Sequence, residues 1–281
     1  MNIQLILLPL LLSFVFPLLA PSASATGPRV TTALFTPHAN EIHTVDFPPY
    51  ISTDVVDGGA VSEIIRTALK EADIDAVISI HPLKRMVNYY LFQENALAGV
   101  GRHLHFSDVQ KKELILIPLV VLQEQYFYYK PLHPQGLKLD ADHLKQLVYG
   151  SHVDEDVSRY TAAGCAVKYG STMSLFKQLK RGDVDFIEVT PLTVEWLLDR
   201  HMAADKAKFA HLPGAGDDEV LYMIFNRKHA GGEAAAARFK QALTGMVKDG
   251  TYGKILDKYL GAEDGKLYLR RLESFGSVPG L

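Results

Sequence analysis

Short apolar runs alternate with helix-period segments along most of this chain. Val61, Ile64, Ile65, Ala68 and Leu69 recur at i, i+3, i+4, i+7 and i+8, one face of a helix. Ala76 to Ile80 follows as a strand. Pro82 suits the first turn of a helix that carries Leu83, Met86, Val87 and Tyr90. Ala96 to Val100 reads as a short strand, Ser107-Asp108 as a helix N-cap, and Leu114 to Val121 as a buried strand. This alternation predicts an α/β fold with mainly parallel strands.

The aromatic run Leu119 to Lys130 (LVVLQEQYFYYK) is β-prone and ends at Pro131 and Pro134. It predicts a segment crossing between two lobes. A second unit then begins, with strand Gln146 to Tyr149, loop Gly150 to Asp156 and strand Ala166 to Tyr169. Helix Ser174 to Lys180, turn Arg181-Gly182 and strand Val184 to Val189 follow, then a helix from Pro191 carrying Val194, Trp196, Leu197 and Leu198. Glu219 to Asn226 reads as the return crossing. Helices Gly232 to Lys248 and Tyr252 to Leu260 close the pattern, separated at Gly250.

One local feature stands out. In Asp46 to Asp57 (DFPPYISTDVVD), Pro48 and Pro49 remove two backbone donors, so a strand must stop there. Gly58-Gly59 then opens the amphipathic helix. The ring of Tyr50 is expected at the rim of whatever lies beyond.

Composition narrows the setting. Ile3 to Leu19 is almost wholly apolar and is followed by Ala23-Ser24-Ala25, which fits a small-residue cleavage site. Residues 1–25 are therefore expected to be a signal peptide, although its n-region lacks Lys and Arg; an uncleaved anchor is the rival reading. Cleavage after 25 of the 281 residues leaves 256, enough for two medium lobes. A formal charge of −3 argues against a nucleic-acid surface. Cys165 is the single cysteine, so no internal disulfide can form, and a buried thiol is expected.

The series DFPPY, glycine pair and amphipathic helix, HPLKR, ALAG strand, FSDVQKKE and aromatic crossing resembles the type II periplasmic solute-binding proteins, receptors of polar amino-acid ABC transporters. SLFKQLKRGDVDF is similar to that family's lobe-two helix, turn and strand. ALTGMVKDGTYGKILDKYLG is similar to its C-terminal helices. The resemblance runs to about Gly261. It implies a two-lobed periplasmic binding protein type II fold, with two crossing strands as hinge and a ligand cleft between the lobes. The expected segments are 26–125 (lobe one, first part), 126–220 (lobe two) and 221–281 (return and C-terminal helices of lobe one).

The same resemblance nominates site residues. Amino-acid binders of this family carry S/T-x-x-R after a lobe-one strand, the hydroxyl capping a helix and the arginine gripping a carboxylate. Here Ser107 matches the hydroxyl and Gln110 stands in place of the arginine, with Lys111 one residue on. Arg102 either restores the missing charge or is a solvated loop residue. His103 and His105 share one face of an extended segment. Three readings stand for them: ligand contact, metal ligand or wet loop.

In lobe two, relatives place an acid six positions into the strand, which lands here on Thr190. Glu188 has the same strand parity and is the substitute, or else a structural partner. Ser151 and His152 open the loop that leads to an expected helix start, a place that favours anions, but Asp154, Glu155 and Asp156 already crowd it. Arg159 is expected to neutralise those three. Asp46 and Tyr50 flank the proline pair toward the cleft. Arg85 is a cleft contact or a helix-face ion pair, and Trp196 is expected in the core.

No nucleophile elbow, zinc-protease helix or phosphate-binding glycine loop occurs. The expected function is therefore capture of a small polar, amino-acid-like or organic-acid ligand for ABC-type uptake in the periplasm. A ligand-sensing receptor and a dehydratase-like enzyme on the same scaffold are the alternatives. No cofactor or metal is expected. The expected partners are the small molecule and a membrane permease or sensor; nucleic acid is not among them, and a monomer is expected.

Overall fold

The computed structural model describes residues 40–274 except 89, 94–95, 103–105, 154, 214–215 and 217. The expected signal peptide, residues 1–25, lies outside the described residues, as do His103, His105 and Asp154. Among the described residues, no helix is long and apolar enough to cross a membrane.

The chain first lays down β1 (Glu41–Thr44), α1 (Ala60–Glu71), β2 (Val77–Ile80), α2 (Leu83–Asn88) and β3 (Ala96–Arg102). A one-turn helix α3 (Asp108–Lys111) leads into β4 (Leu114–Gln123). Next come β5 (Gln125–Tyr129), α4 (Ala141–Leu144), β6 (Val148–Ser151), α5 (Ser158–Ala162), β7 (Ala166–Tyr169) and α6 (Thr172–Arg181). β8 (Phe186–Val189), α7 (Pro191–His201), β9 (Phe209–His211), β10 (Asp218–Asn226), α8 (Gly232–Lys248), α9 (Thr251–Leu260) and α10 (Ala262–Ser274) complete the described chain.

These strands form two five-stranded sheets, ordered β2-β1-β3-β10-β4 and β7-β6-β8-β5-β9. Each has three parallel strands, β2-β1-β3 or β7-β6-β8, followed by two antiparallel pairings. The expectation of mainly parallel strands is thus corrected to mixed sheets. The reason is the crossing segment. Read from sequence as one element, it breaks at Glu124 into β4, which stays in the first sheet, and β5, which enters the second. Gln123 pairs with Asp218 and Gln125 with Val189, so the chain changes sheets across one residue.

Local sequence explains the element ends. Gly59 adopts φ 93°, and a Cβ there would collide with the carbonyl oxygens of Pro49 and Tyr50. Only glycine lets the DFPPY turn pack against the start of α1. Ser171 caps α6 by accepting from the Ser174 amide, and Gly182 closes it in the left-handed conformation (φ 76°). Pro191 occupies the first turn of α7, where no amide partner is needed.

Both sheets bury apolar side chains. Ile42, Val61, Ile65, Leu97, Leu119 and Met223 join Phe239, Leu243, Tyr252 and Leu272 in one core, covered by α1, α8, α9 and α10. The Tyr252 hydroxyl donates to the Leu119 carbonyl at 2.6 Å, tying α9 to β4. The second sheet buries Leu175, Phe176, Leu179, Ile187 and Phe209 together. A separate aromatic cluster holds Tyr149, Tyr160, Phe186 and Cys165. The Cys165 thiol is buried, as expected, and donates to the Leu147 carbonyl at 3.1 Å.

Candidate binding cleft

The parallel strands of both sheets point their C-terminal ends at one cavity of about 660 Å³. From the first sheet come Val45, Asp46 and Phe47 after β1, His81 and Pro82 after β2, and Gly101 and Arg102 at the end of β3. From the second come His152 and Glu155 after β6, Gly170 to Thr172 after β7, and Glu188 and Val189 at the end of β8. Glu124, at the junction of β4 and β5, also lines it. The crevice beyond carboxyl strand ends is where open α/β sheets bind ligands.

Charge in the cleft centres on Arg102. Its guanidinium donates to Glu155 Oε1 at 2.6 Å, and to Glu124 Oε1 at 3.4 Å. The first of these bonds spans the cleft, because Arg102 ends a strand of the first sheet and Glu155 follows a strand of the second. All three side chains are between 15% and 19% exposed, so water screens the cluster only in part. Burial pushes the Glu124 carboxyl up to about 8; Arg102 opposes that rise, while Glu188, Glu155 and Glu219 add to it. Burial would raise Glu155 as well. A hydrogen bond from His152, with the charges of His152 and Arg102, instead holds it well below the ordinary carboxylate range.

Behind Glu155 stands a supporting shell. Ser151 Oγ donates to Glu155 Oε2 at 3.1 Å. His152 Nδ1 lies 3.2 Å from Glu155 Oε1, and its Nε2 lies 2.8 Å from Thr172 Oγ1 at the start of α6.

Glu188 has a different environment. It is 9% exposed, and its Oε2 accepts from the Tyr160 hydroxyl at 3.0 Å and from Arg159. Tyr160 also bonds Tyr126 at 3.1 Å and stacks on Tyr149 with ring centroids 3.9 Å apart. The other oxygen, Glu188 Oε1, is buried with no hydrogen-bond partner. A buried acceptor left unpaired costs roughly 1–3 kcal/mol, more when charged.

The two histidines on the first-sheet side add no positive charge near neutral pH. His43 Nδ1 and His81 Nε2 are 3.1 Å apart. Burial and the neighbouring His81 lower His43 to about 4, and burial lowers His81 despite Glu41. Among the described residues, no group of three metal-ligating side chains converges.

Comparison with known proteins places this architecture. No family model matches the chain, and no curated protein matches it. Solved structures do. The GluR0 ligand-binding core from Nostoc punctiforme in complex with L-glutamate is 13% identical, with a TM-score of 0.62 over 79% of this chain and 99% of its own. A histidine kinase sensor domain with similarity to periplasmic binding proteins is 15% identical, with a TM-score of 0.63 over 79% and 95%. An ancestral arginine-binding protein bound to arginine is 18% identical, with a TM-score of 0.61 over 80% and 99%. This chain has the type II periplasmic-binding-protein fold.

Within that fold, the residues nominated from sequence separate clearly. Asp46, Arg102, His152 and Glu188 line the cleft. Ser151 sits just behind it, 1% exposed, and orients Glu155. Tyr50 is not a cleft wall: it is 1% exposed, stacks on Phe47 and shares a 2.6 Å hydroxyl–hydroxyl bond with Tyr268 of α10. Thr190 is fully buried, and its hydroxyl donates to Thr193 Oγ1 at 2.8 Å; Thr193 in turn donates to the Pro48 carbonyl at 2.9 Å. Strand parity fails to join Thr190 to Glu188 because β8 ends at Val189 and Thr190 stands at the N-terminal boundary of α7.

Ser107 and Gln110 are used locally. They form a reciprocal capping box at α3, with the Gln110 side-chain oxygen accepting from the Ser107 amide at 2.9 Å. Arg85 is exposed on α2 and does not line the cavity, although its charge reaches His81. Trp196 is half-buried under the guanidinium of Arg200. Arg159 pairs with Glu188, and its charge also helps to lower the Asp156 carboxyl. The expected helix start after Tyr149 comes later, at Ser158.

Sequence reasoning missed Glu124 as a site residue and treated Glu155 only as an obstacle to anions. One signal was available for Glu124: a lone carboxylate between two apolar β-runs, at the point where the chain must change sheets.

Proposed function

We propose that this protein is an extracytoplasmic solute receptor: it closes its two lobes on a small molecule and presents it to an ABC-type permease. The observation that carries this reading is the cavity of about 660 Å³ between carboxyl strand ends of both sheets, crossed by the Arg102–Glu155 bond. A ligand held there touches both lobes at once, and its binding energy favours the closed arrangement. Known structures of this fold include the probable amino-acid ABC transporter extracellular-binding protein from Bacillus subtilis, 15% identical with a TM-score of 0.61 over 80% of this chain and 97% of its own. They also include the histidine kinase sensor domain, which supports a second reading as the sensing module of a signalling partner.

Thermal melting with a panel of amino acids, organic acids, amines and small peptides tests the proposal. A binder at 100 times its Kd stabilises by about 2.7 kcal/mol. A shift with one chemical class and unchanged solute after incubation supports the receptor. Turnover of a cyclic acid without a binding shift favours the enzyme reading instead. N-terminal sequencing of the exported protein tests the proposed signal peptide, with Thr26 as the expected first residue.

A further inference from the structure

The lining of the cleft is unbalanced in charge. Asp46, Glu124, Glu155 and Glu188 all line it, against the guanidinium of Arg102 and the imidazole of His152, which is itself bonded to Glu155. That guanidinium is already engaged by Glu155 and Glu124. Arg159 reaches Glu188 only through Oε2. Glu188 Oε1 is left without a donor in a side chain that is 7% exposed. A ligand carboxylate entering here would meet the carboxylates of Asp46, Glu155 and Glu188 and would have to displace Glu155 from Arg102. A ligand ammonium would meet an unpaired acceptor.

Beside the polar His81, Ser171 and Thr172, much of the remaining wall is apolar, with Val45, Phe47, Ile80, Leu83, Leu122 and Leu221 lining the same space. An uncharged surface of this kind suits a hydrocarbon body.

From this arrangement we infer that the cleft takes an organic cation, an ammonium group carried on an apolar body, with Glu188 Oε1 and Glu124 as its acceptors. Arg102 serves as the interlobe clasp and not as a carboxylate anchor. The inference rests on the solute-receptor reading above and names the ligand class of that same cleft.

The state of Glu124 fits this assignment. Arg102, Glu188, Glu155 and Glu219 all act on it, and the balance with burial keeps it protonated at neutral pH. An entering ammonium replaces that proton, so amine affinity rises as pH increases from 6 toward 8. The N-terminus of α6 also borders the cavity, where it attracts negative charge. Ser171 already caps it, accepting from the Ser174 amide. A zwitterion arm therefore belongs in the test.

The experiment is isothermal titration of the full chain with four sets of probes at pH 6 and pH 8. The sets are hexylamine and phenethylamine, 1,5-diaminopentane, L-leucine and L-lysine, and succinate. The amines are expected to bind, more tightly at pH 8, and to outbind L-leucine and succinate by at least about tenfold. Glu188→Gln is expected to weaken amine binding by about 10- to 100-fold, the range of a charge-assisted hydrogen bond. Because Glu188→Gln also disturbs Arg159, Glu124→Gln is the second variant; it is expected to abolish the gain in affinity between pH 6 and pH 8. Tighter binding of L-leucine or succinate than of any amine overturns the cation assignment and leaves the receptor standing. Full amine affinity in both variants overturns the assignment of Glu188 and Glu124. If no probe in any set binds, both the assignment and the receptor reading fall.

Discussion

The two sheets are built to one plan and finished differently. Each sets three parallel strands in the order second, first, third, then adds an antiparallel crossing strand and one further strand. In the first sheet the crossing strand is β10, arriving from the second lobe; in the second it is β5, arriving from the first. Their cleft edges diverge. The first lobe contributes one half-buried cation, Arg102, and an apolar wall. The second contributes Glu155 and Glu188, each held by its own hydroxyl-bearing neighbour, Ser151 or Tyr160. A shared backbone plan therefore says little about the ligand; the residues just past the strand ends decide it.

The largest effect should come from cutting the bond between the lobes. Arg102→Ala leaves Glu155 and Glu124 facing each other without their cation. Since these groups are partly exposed, the expected loss is about 2–3 kcal/mol in a denaturant melt, below the range for a fully buried pair. Small-angle scattering of the unliganded variant should show a larger radius of gyration. An unchanged radius would mean that the bridge does not hold the lobes together.

Tyrosines sharpen the contrast between the lobes. Tyr50→Phe removes the bond to Tyr268 and should cost about 1–2 kcal/mol of stability with ligand affinity unchanged. Tyr160→Phe, its counterpart in the second lobe, should lower affinity as well, because it releases Glu188. Equal effects of the two changes on affinity would erase the distinction drawn between a structural and a site-supporting aromatic.

A smaller effect is read in the pH profile. The Glu124 carboxyl is raised to about 8 in the folded protein. Its contribution to stability is complete below the unfolded value near 4.5 and is lost as pH rises through 8. Glu124→Gln should therefore be more stable than the parent at pH 9, by about 1 kcal/mol, and no more stable at pH 4. Melting at both pH values checks the sign.

Ser107→Ala should do least. Removing the cap of a one-turn helix is worth about 0.5 kcal/mol, at the low end for such caps, and should leave ligand affinity intact. A loss of affinity would return Ser107 to the site.

Much of the scaffold was legible because helix and strand periods are local. The faces of α1 and α6, the proline start of α7 and the return strand β10 all stand close to where the pattern placed them. The site was legible only in part. Arg102 and Glu188 could be nominated from their places at strand ends. What each side chain bonds to could not, because it depends on contacts between distant segments. Ser107 and Gln110 show this well: the spacing that suggested ligand contact instead satisfies their own helix. Tyr50 shows it too, since its partner Tyr268 lies in α10, beyond the segment where the family resemblance ends.

The place of β10 between β3 and β4 bears on how the protein is made. A ribosome releases β4 long before β10, and among the described residues β4 pairs only with β10. During synthesis, the apolar strand Leu114–Gln123 must wait with its edge uncovered while the entire second lobe emerges. That lobe, complete between Gln125 and His211, can fold first. Export before folding, or a holding chaperone, would shield the waiting strand from pairing with a neighbouring chain.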